Sequence, residues 1–109
     1  MISIDDFSKC EIKIGTILSA EKVPDADRLL KLSVDLGEDV GPRQIISGIA
    51  AYYPDAGVLI GKKVPVLSNL EPRTIRGLQS NGMILYVVGE NTLTTLEPGA
   101  DIPNGTTVR

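Results

Sequence analysis

Between Gly61 and Gly77 the sequence sets four cations, Lys62, Lys63, Arg73 and Arg76, against a single acid, Glu71. This is phosphate-gripping chemistry. A guanidinium presents a planar fork of N–H donors matched to two oxygens of one phosphate, and an ammonium presents a compact charge. Arg73 and Arg76 bracket a turn, where side chains are free to reach outward, although a solvated surface arginine is the plainer alternative. Lys31 and Ser33 fall on the polar side of an alternating run, the face a strand would leave to solvent. Arg43 extends that patch across the neighbouring strand, or pairs with Asp35 as a surface ion pair of little energetic value.

Catalytic chemistry is hard to assemble from this chain. There is no histidine, so the usual general base at neutral pH and the commonest metal ligand are both missing. Cys10 is the one cysteine, and without histidine it cannot form the usual nucleophile pair. No phosphate-loop or dinucleotide fingerprint is present, so Gly15, Gly48, Gly77 and Gly82 read as bends and turns. The expectation is a protein that binds and does not catalyse, with no metal and no cofactor. A single cysteine fits a reducing compartment, and Cys10 itself is expected to be a small buried apolar residue. The acidic start, Asp5 and Asp6, does not resemble a signal peptide, and no apolar run approaches the roughly 20 residues of a membrane span. The cytoplasm, away from membranes, is the expected location.

The elements that would position these residues follow from patterning. The 109 residues, 42% apolar with a net charge of −3, suit one domain over 1–109. Ser3 followed by Asp6 predicts one capped helical turn through Phe7. Residues 11–20 form a first strand with Ile12, Ile14, Thr16, Leu18 and Ala20 on one face. Gly15 and the odd-phase Ile17 suggest a bulge there. Residues 21–28, with Pro24, Asp25 and Asp27, read as a loop. Leu30, Leu32, Val34 and Leu36 alternate with polar residues as a second strand, and 43–49 make a third. Residues 50–61 are helical or irregular, with Tyr52 and Tyr53 as packing residues. Strand character returns at 62–70 and at 80–89, the latter apolar on both faces and expected to be covered on its outer side as well. Short strands at 92–96 and 106–108 end the chain. This all-β order of three strands, a connection, two strands and a tail is that of an OB-fold, a five-stranded Greek-key barrel.

Three stretches carry a resemblance that covers nearly the whole chain. The first is Ile4-Asp5-Asp6-Phe7-Ser8-Lys9 leading into Ile14-Gly15-Thr16-Ile17. The second is Asp27-Arg28-Leu29-Leu30-Lys31-Leu32-Ser33-Val34-Asp35-Leu36-Gly37 with Arg43-Gln44-Ile45-Ile46-Ser47-Gly48-Ile49. The third is Asn69-Leu70-Glu71-Pro72-Arg73 with Gly77 and Ser80-Asn81-Gly82-Met83-Ile84-Leu85. In that order they make the sequence similar to the tRNA-binding domain family. That family includes free-standing dimeric tRNA-binding proteins and the C-terminal domain or β subunit of methionyl-tRNA synthetase.

The resemblance implies an OB-fold and binding of tRNA by shape, largely without regard to sequence. The chain would act alone or as a non-catalytic partner of methionyl-tRNA synthetase. It implies that residues 92–109 are a dimerising extension, giving a homodimer. It adds Asn69, Ser80 and Met83 to the candidate RNA-binding residues Lys31, Ser33, Arg43, Arg73 and Arg76. The chain departs from the family pattern at Glu71, where lysine is common, and at Asn81, where glutamate is. The aromatic residues agree with shape recognition. Phe7, Tyr52, Tyr53 and Tyr86 are the whole set, and none lies on the second or third strand, so the stacking platform of single-strand binders is missing. The alternative is a homodimeric, export-chaperone-like member of the same fold family that binds protein through an apolar groove.

Overall fold

A computed structural model describes all 109 residues. Ser3 caps the one helical turn, α1 (Ile4–Phe7), its side chain accepting from the Asp6 N–H while the Asp6 carboxylate accepts from the Ser3 N–H. The strands follow in order: β1 (Ile12–Val23), β2 (Ala26–Asp35), β3 (Arg43–Ser47), β4 (Lys63–Leu67), β5 (Arg73–Ile75), β6 (Leu78–Ser80), β7 (Met83–Ile84), β8 (Tyr86–Val88), β9 (Leu93–Thr95) and β10 (Thr107–Val108). Two short 3-10 turns, Ala50–Tyr52 and Ala56–Leu59, make the expected connection between β3 and β4.

The main sheet runs β3-β2-β1-β4-β7, all neighbours antiparallel. It curls until its two ends meet. There the Asn81 N–H donates to the Gln44 carbonyl at 2.9 Å, Gln44 Nε2 donates to the Gln79 carbonyl at 2.9 Å, and the Ile46 N–H donates to Ser80 Oγ at 3.0 Å. This is the OB-fold barrel. Its seam is closed largely by side chains because the returning chain is broken into β6, β7 and β8, where one continuous strand over 80–89 was expected.

The barrel is filled by Ile17, Leu30, Leu32, Val34, Ile45, Leu59, Val64 and Val66, each under 2% exposed. Burying each such side chain contributes about 1.5–3 kcal/mol before chain entropy is set against it. β1 turns Gly15 and Ile17 into the barrel, opposite Val64 and Val34, while Ile12 and Ile14 are buried on the other face, opposite Leu67 and Pro65. Ile17 is fully buried while Leu18 is 45% exposed, and the register slips between Ile17 and Ser19. The bulge changes the inward parity after Ile17, so Ala20 turns in opposite Leu32, Leu18 is left outside, and the five residues assigned to one face do not share it. Gly15 sits where β1 bends over β2: a Cβ there would lie 2.7 Å from Leu36 Cδ2 and 2.8 Å from Val34 Cγ1.

Four further expectations are corrected. Residues 21–28 are not a loop, because β1 and β2 continue through Glu21↔Lys31 and Lys22↔Leu30 to a turn of only Pro24 and Asp25. Cys10 is exposed. Tyr53 packs against the core, but Tyr52 is 43% exposed. Val87 and Val88, on opposite faces of β8, are both exposed and not covered within the chain.

The tail is woven into the barrel. β8 pairs with β9, and β10 pairs with β1 at Ile12↔Val108 and Lys13↔Thr107, on the edge that β2 leaves free beyond Thr16↔Asp35. Lys62 reaches Glu97 at 3.2 Å and Lys63 reaches Asp101 at 3.1 Å, which ties β4 to the tail. No helix is long and apolar enough to cross a membrane.

Candidate nucleic-acid interface

Cross-strand pairing decides which side chains share a face. Leu32 pairs with Ile45 and Val34 with Arg43, whereas Ser33 pairs with Gln44 and Lys31 with Ile46. Partners opposite one another lie on one side of the sheet. Lys31 and Ser33 therefore share the outer face, and Arg43 belongs to the inner phase with Val34. It neither extends the Lys31 patch nor pairs with Asp35.

Arg43 lies at the barrel end. Its Nε and Nη2 donate to the two Glu38 carboxylate oxygens at 2.8 Å each, and Nη1 donates to the carbonyls of Ser68 and Asn81. This joins the β2–β3 connection, the end of β4 and the β6–β7 connection. The hydrogen bond from Arg43 holds the Glu38 carboxyl below the usual carboxylate range.

Two more of the candidates are engaged within the chain. Ser80 is buried, with its hydroxyl accepting from Ile46 across the seam. Asn69 clamps the entry to β1, its Oδ1 accepting from the Glu11 N–H at 2.9 Å and its Nδ2 donating to the Lys9 carbonyl at 2.7 Å. Nearby, Tyr86 donates its hydroxyl to Ser47 Oγ at 3.0 Å, and burial pushes that phenol up to about 12.

The remaining candidates face outward. β5 and β6 form a hairpin beside β3, with Arg76 and Gly77 as its two turn residues. Both have positive φ, 52° and 79°, as a tight two-residue hairpin turn demands. Gly77 adopts this freely; Arg76 does so against its Cβ. Arg73 and Arg76 are exposed, and Met83 is 43% exposed, so it is not a core methionine. The hairpin tip lies against the tip of the β1–β2 hairpin. A cleft of about 360 Å³ between them is lined by Glu21, Lys22, Val23, Pro24, Lys31, Arg76 and Leu78. On the other side of Arg76, a cleft of about 370 Å³ is lined by Asp25, Ala26, Asp27, Arg28, Leu29, Ile75 and Arg76.

The pairing of charges separates the cations more sharply than their positions in the sequence do. Of the eleven Lys and Arg, five are in ion pairs: Lys9 with Asp6, Lys31 with Glu21, Arg43 with Glu38, Lys62 with Glu97 and Lys63 with Asp101. Among the six without a carboxylate partner, Lys22, Arg28, Arg73 and Arg76 all lie on these two hairpins. Lys22 and Arg28 fall in residues 21–28, where Pro24, Asp25 and Asp27 read as a loop, whereas the Glu21↔Lys31 and Lys22↔Leu30 pairings carry them on a hairpin.

A larger concavity of about 520 Å³ lies between α1 and β10, lined by Ile4, Phe7, Cys10, Ile12, Val108 and Arg109 among others. Its charged lining is Glu11, Lys13 and Arg109, and these two cations are the remaining ones without a carboxylate partner. No three His, Cys, Asp or Glu side chains gather anywhere as a metal site.

Comparison with known proteins places these features. The family described as "Putative tRNA binding domain" matches residues 12–107. A methionine–tRNA ligase of Flavobacterium johnsoniae is 52% identical over 110 residues, covering 99% of this chain, and one of Methanoregula boonei is 53% identical over 107 residues, covering 94%. The chain spans only 15% and 16% of the length of these two ligases. Among solved structures, a methionyl-tRNA synthetase-related protein from Pyrococcus horikoshii superposes with a TM-score of 0.91 at 32% identity, covering 100% of this chain and 98% of that one. The chaperone CsaA from Bacillus anthracis superposes with a TM-score of 0.87 at 29% identity, covering 100% and 99%. With the matched segment running through nearly all of the barrel, the chain belongs to the tRNA-binding domain family.

Proposed function

We propose that this protein binds folded tRNA by its backbone and shape, largely without regard to sequence, through the outer face of β2 and the two hairpin tips beside it. The observation that carries this is the gathering of Lys22, Arg28, Arg73 and Arg76, none with a carboxylate partner, on two adjoining hairpins of an otherwise acidic molecule. Phosphate contacts supply affinity and orientation without reading bases, and a protein of negative net charge can present one basic face. Lys31, Ser33 and Met83 extend this face. β2 and β3 carry no aromatic residue, which favours a folded RNA surface over stacked single strands. The names of the relatives make a methionyl-tRNA synthetase the natural partner, with this chain supplying tRNA affinity and no chemistry of its own. Tethering of that kind raises the local concentration of tRNA at a catalytic site.

A second copy is the other partner. Val87 and Val88 on β8 and Leu96 just beyond β9 are exposed apolar residues that nothing in the chain covers. A homodimer through residues 92–109 would bury them. The alternative function, a chaperone-like protein that binds apolar segments, is favoured by those same residues and by the kinship with CsaA.

Salt separates the two functions. Titration of bulk tRNA, a single-stranded DNA and a duplex DNA at several salt concentrations should show tRNA preferred and its affinity falling steeply with salt. Binding of unfolded polypeptide that strengthens with salt, with no retention of tRNA, would favour the chaperone-like function.

A further inference from the structure

We propose, resting on the tRNA-binding function above, that Arg76 is the shared prong of a two-phosphate site. One backbone phosphate of the RNA lies in the cleft with Lys22 and Lys31, and its neighbour lies in the cleft with Arg28. Two independent observations lead there.

The first is the strain at Arg76. Its φ of +52° suits glycine or asparagine, and tight hairpin turns ordinarily place them there. Nothing inside the molecule accounts for an arginine at this position, because its guanidinium makes no hydrogen bond and no ion pair and is exposed. A strained backbone whose side chain serves no internal contact points to a partner outside the chain.

The second is the placement. Arg76 is the one residue that lines both clefts, which are of nearly equal size, and each cleft offers it a further cation from the β1–β2 hairpin. The two sides are unequal. Asp25 and Asp27 line the Arg28 side, so the Lys22 and Lys31 side is the stronger.

On that stronger side Glu21 holds the Lys31 ammonium at 3.0 Å. A phosphate entering the cleft takes over Lys31 and displaces the carboxylate. Glu21 therefore acts as a placeholder that weak anions do not displace, and it sets a threshold for binding.

The test uses the full chain, bulk tRNA and the variants Arg76→Asn, Lys22→Ala, Arg28→Ala and Glu21→Gln. Affinity is measured at several salt concentrations and thermal midpoint alongside it. Asparagine tolerates the turn, so Arg76→Asn is expected to raise the melting temperature by about 2–6 °C. It should also weaken tRNA binding by about tenfold and flatten the log–log salt slope by up to about 0.9, the worth of one cationic charge shared between two phosphates. Lys22→Ala and Arg28→Ala should each flatten the slope by no more than about 0.9, Lys22→Ala by the larger amount. Glu21→Gln should tighten binding by roughly two- to threefold.

An Arg76→Asn protein that is more stable yet binds tRNA with unchanged affinity and slope overturns the site, while wild-type binding leaves the tRNA function standing. An effect of Arg76→Asn with Lys22→Ala or Arg28→Ala silent in both affinity and slope overturns the two-phosphate arrangement. Wild-type protein that does not bind tRNA overturns function and site together.

Discussion

Polar side chains gather in two adjoining regions of this molecule, the seam where β3 meets the returning chain and the tips of the two hairpins. They do opposite work there. At the seam Arg43, Ser80 and Tyr86 satisfy buried or half-buried groups: two carboxylate oxygens, two carbonyls, an N–H and a hydroxyl. On the hairpins, Lys22, Arg28 and Arg76 near the tips and Arg73 at the foot of β5 opposite Ser80 have no carboxylate partner in the chain. The same residue types hold a barrel closed in one place and wait for an outside partner in the other. Whether a cation is already paired, not where it falls in the sequence, marks it as available. Lys62 and Lys63 make the point. They stand in the same basic stretch as Arg73 and Arg76, yet both are tied to the tail.

If the division is real, substitutions on the hairpins change binding and those at the seam change stability. The largest effect is expected from Arg73→Ala with Arg76→Ala. The tRNA affinity should fall by about a hundredfold, roughly 2.7 kcal/mol, equally for different tRNAs. Stability should shift by less than about 0.5 kcal/mol, because both side chains are exposed and unpaired. A loss of folding in this pair would merge the two regions.

Next in size is the alkaline response of the seam. Burial raises the folded-state pKa of Tyr86 to about 12 from an ordinary 10, so the fold favours the neutral phenol. That contribution is intact below pH 10 and disappears as pH rises from 10 to 12, costing on the order of 2 kcal/mol. Denaturant unfolding of wild type and Tyr86→Phe across that range should show the two converging. Parallel curves would mean that Tyr86 ionises freely in the folded state.

Arg43→Ala should destabilise by about 1–2 kcal/mol, since it strands two carbonyls and Glu38 at the barrel end. The protein that remains folded should bind tRNA as wild type does, and a matching loss of affinity would restore Arg43 to the binding face. The smallest effect belongs to Asp101→Asn. Its partnership with Lys63 involves a carboxylate that is 98% exposed, and the change should alter stability by a few tenths of a kcal/mol at most. Its tRNA affinity should rise slightly at low salt only.

Much of the barrel could be seen in the sequence because burial writes itself as alternation. Leu30, Leu32, Val34 and Leu36 face one interior, and their polar neighbours face out. The hairpin arms beyond Lys22 and Ala26 extend into solvent, where alternation ceases to be informative, and Pro24 and Asp25 then suggested a loop far longer than the real turn. The site was half legible for a related reason. The residue types were right, but Arg43, Asn69 and Ser80 have partners 25 to 60 residues away, a distance no local pattern reports. The inner phase of Arg43 did follow from alternation along β3, since Ile45 and Ser47 share it.

The pairing of β10 with β1 bears on how this chain folds. It joins residues from nearly opposite ends of the sequence, and Ile12 has Val108 on one side and Leu67 on the other. Bringing such distant segments together carries a loop-closure cost that is met only once the intervening barrel exists, so this contact is expected to form late and to slow the final step. The geometry also offers a way round. Residues 4 and 109 line one groove, so a short linker could join the ends of the chain, and new ends could open in the exposed turn at Asp39 and Val40. In such a permutant the β1–β10 pair becomes a near-neighbour contact. It should fold faster than the natural order while keeping the same barrel.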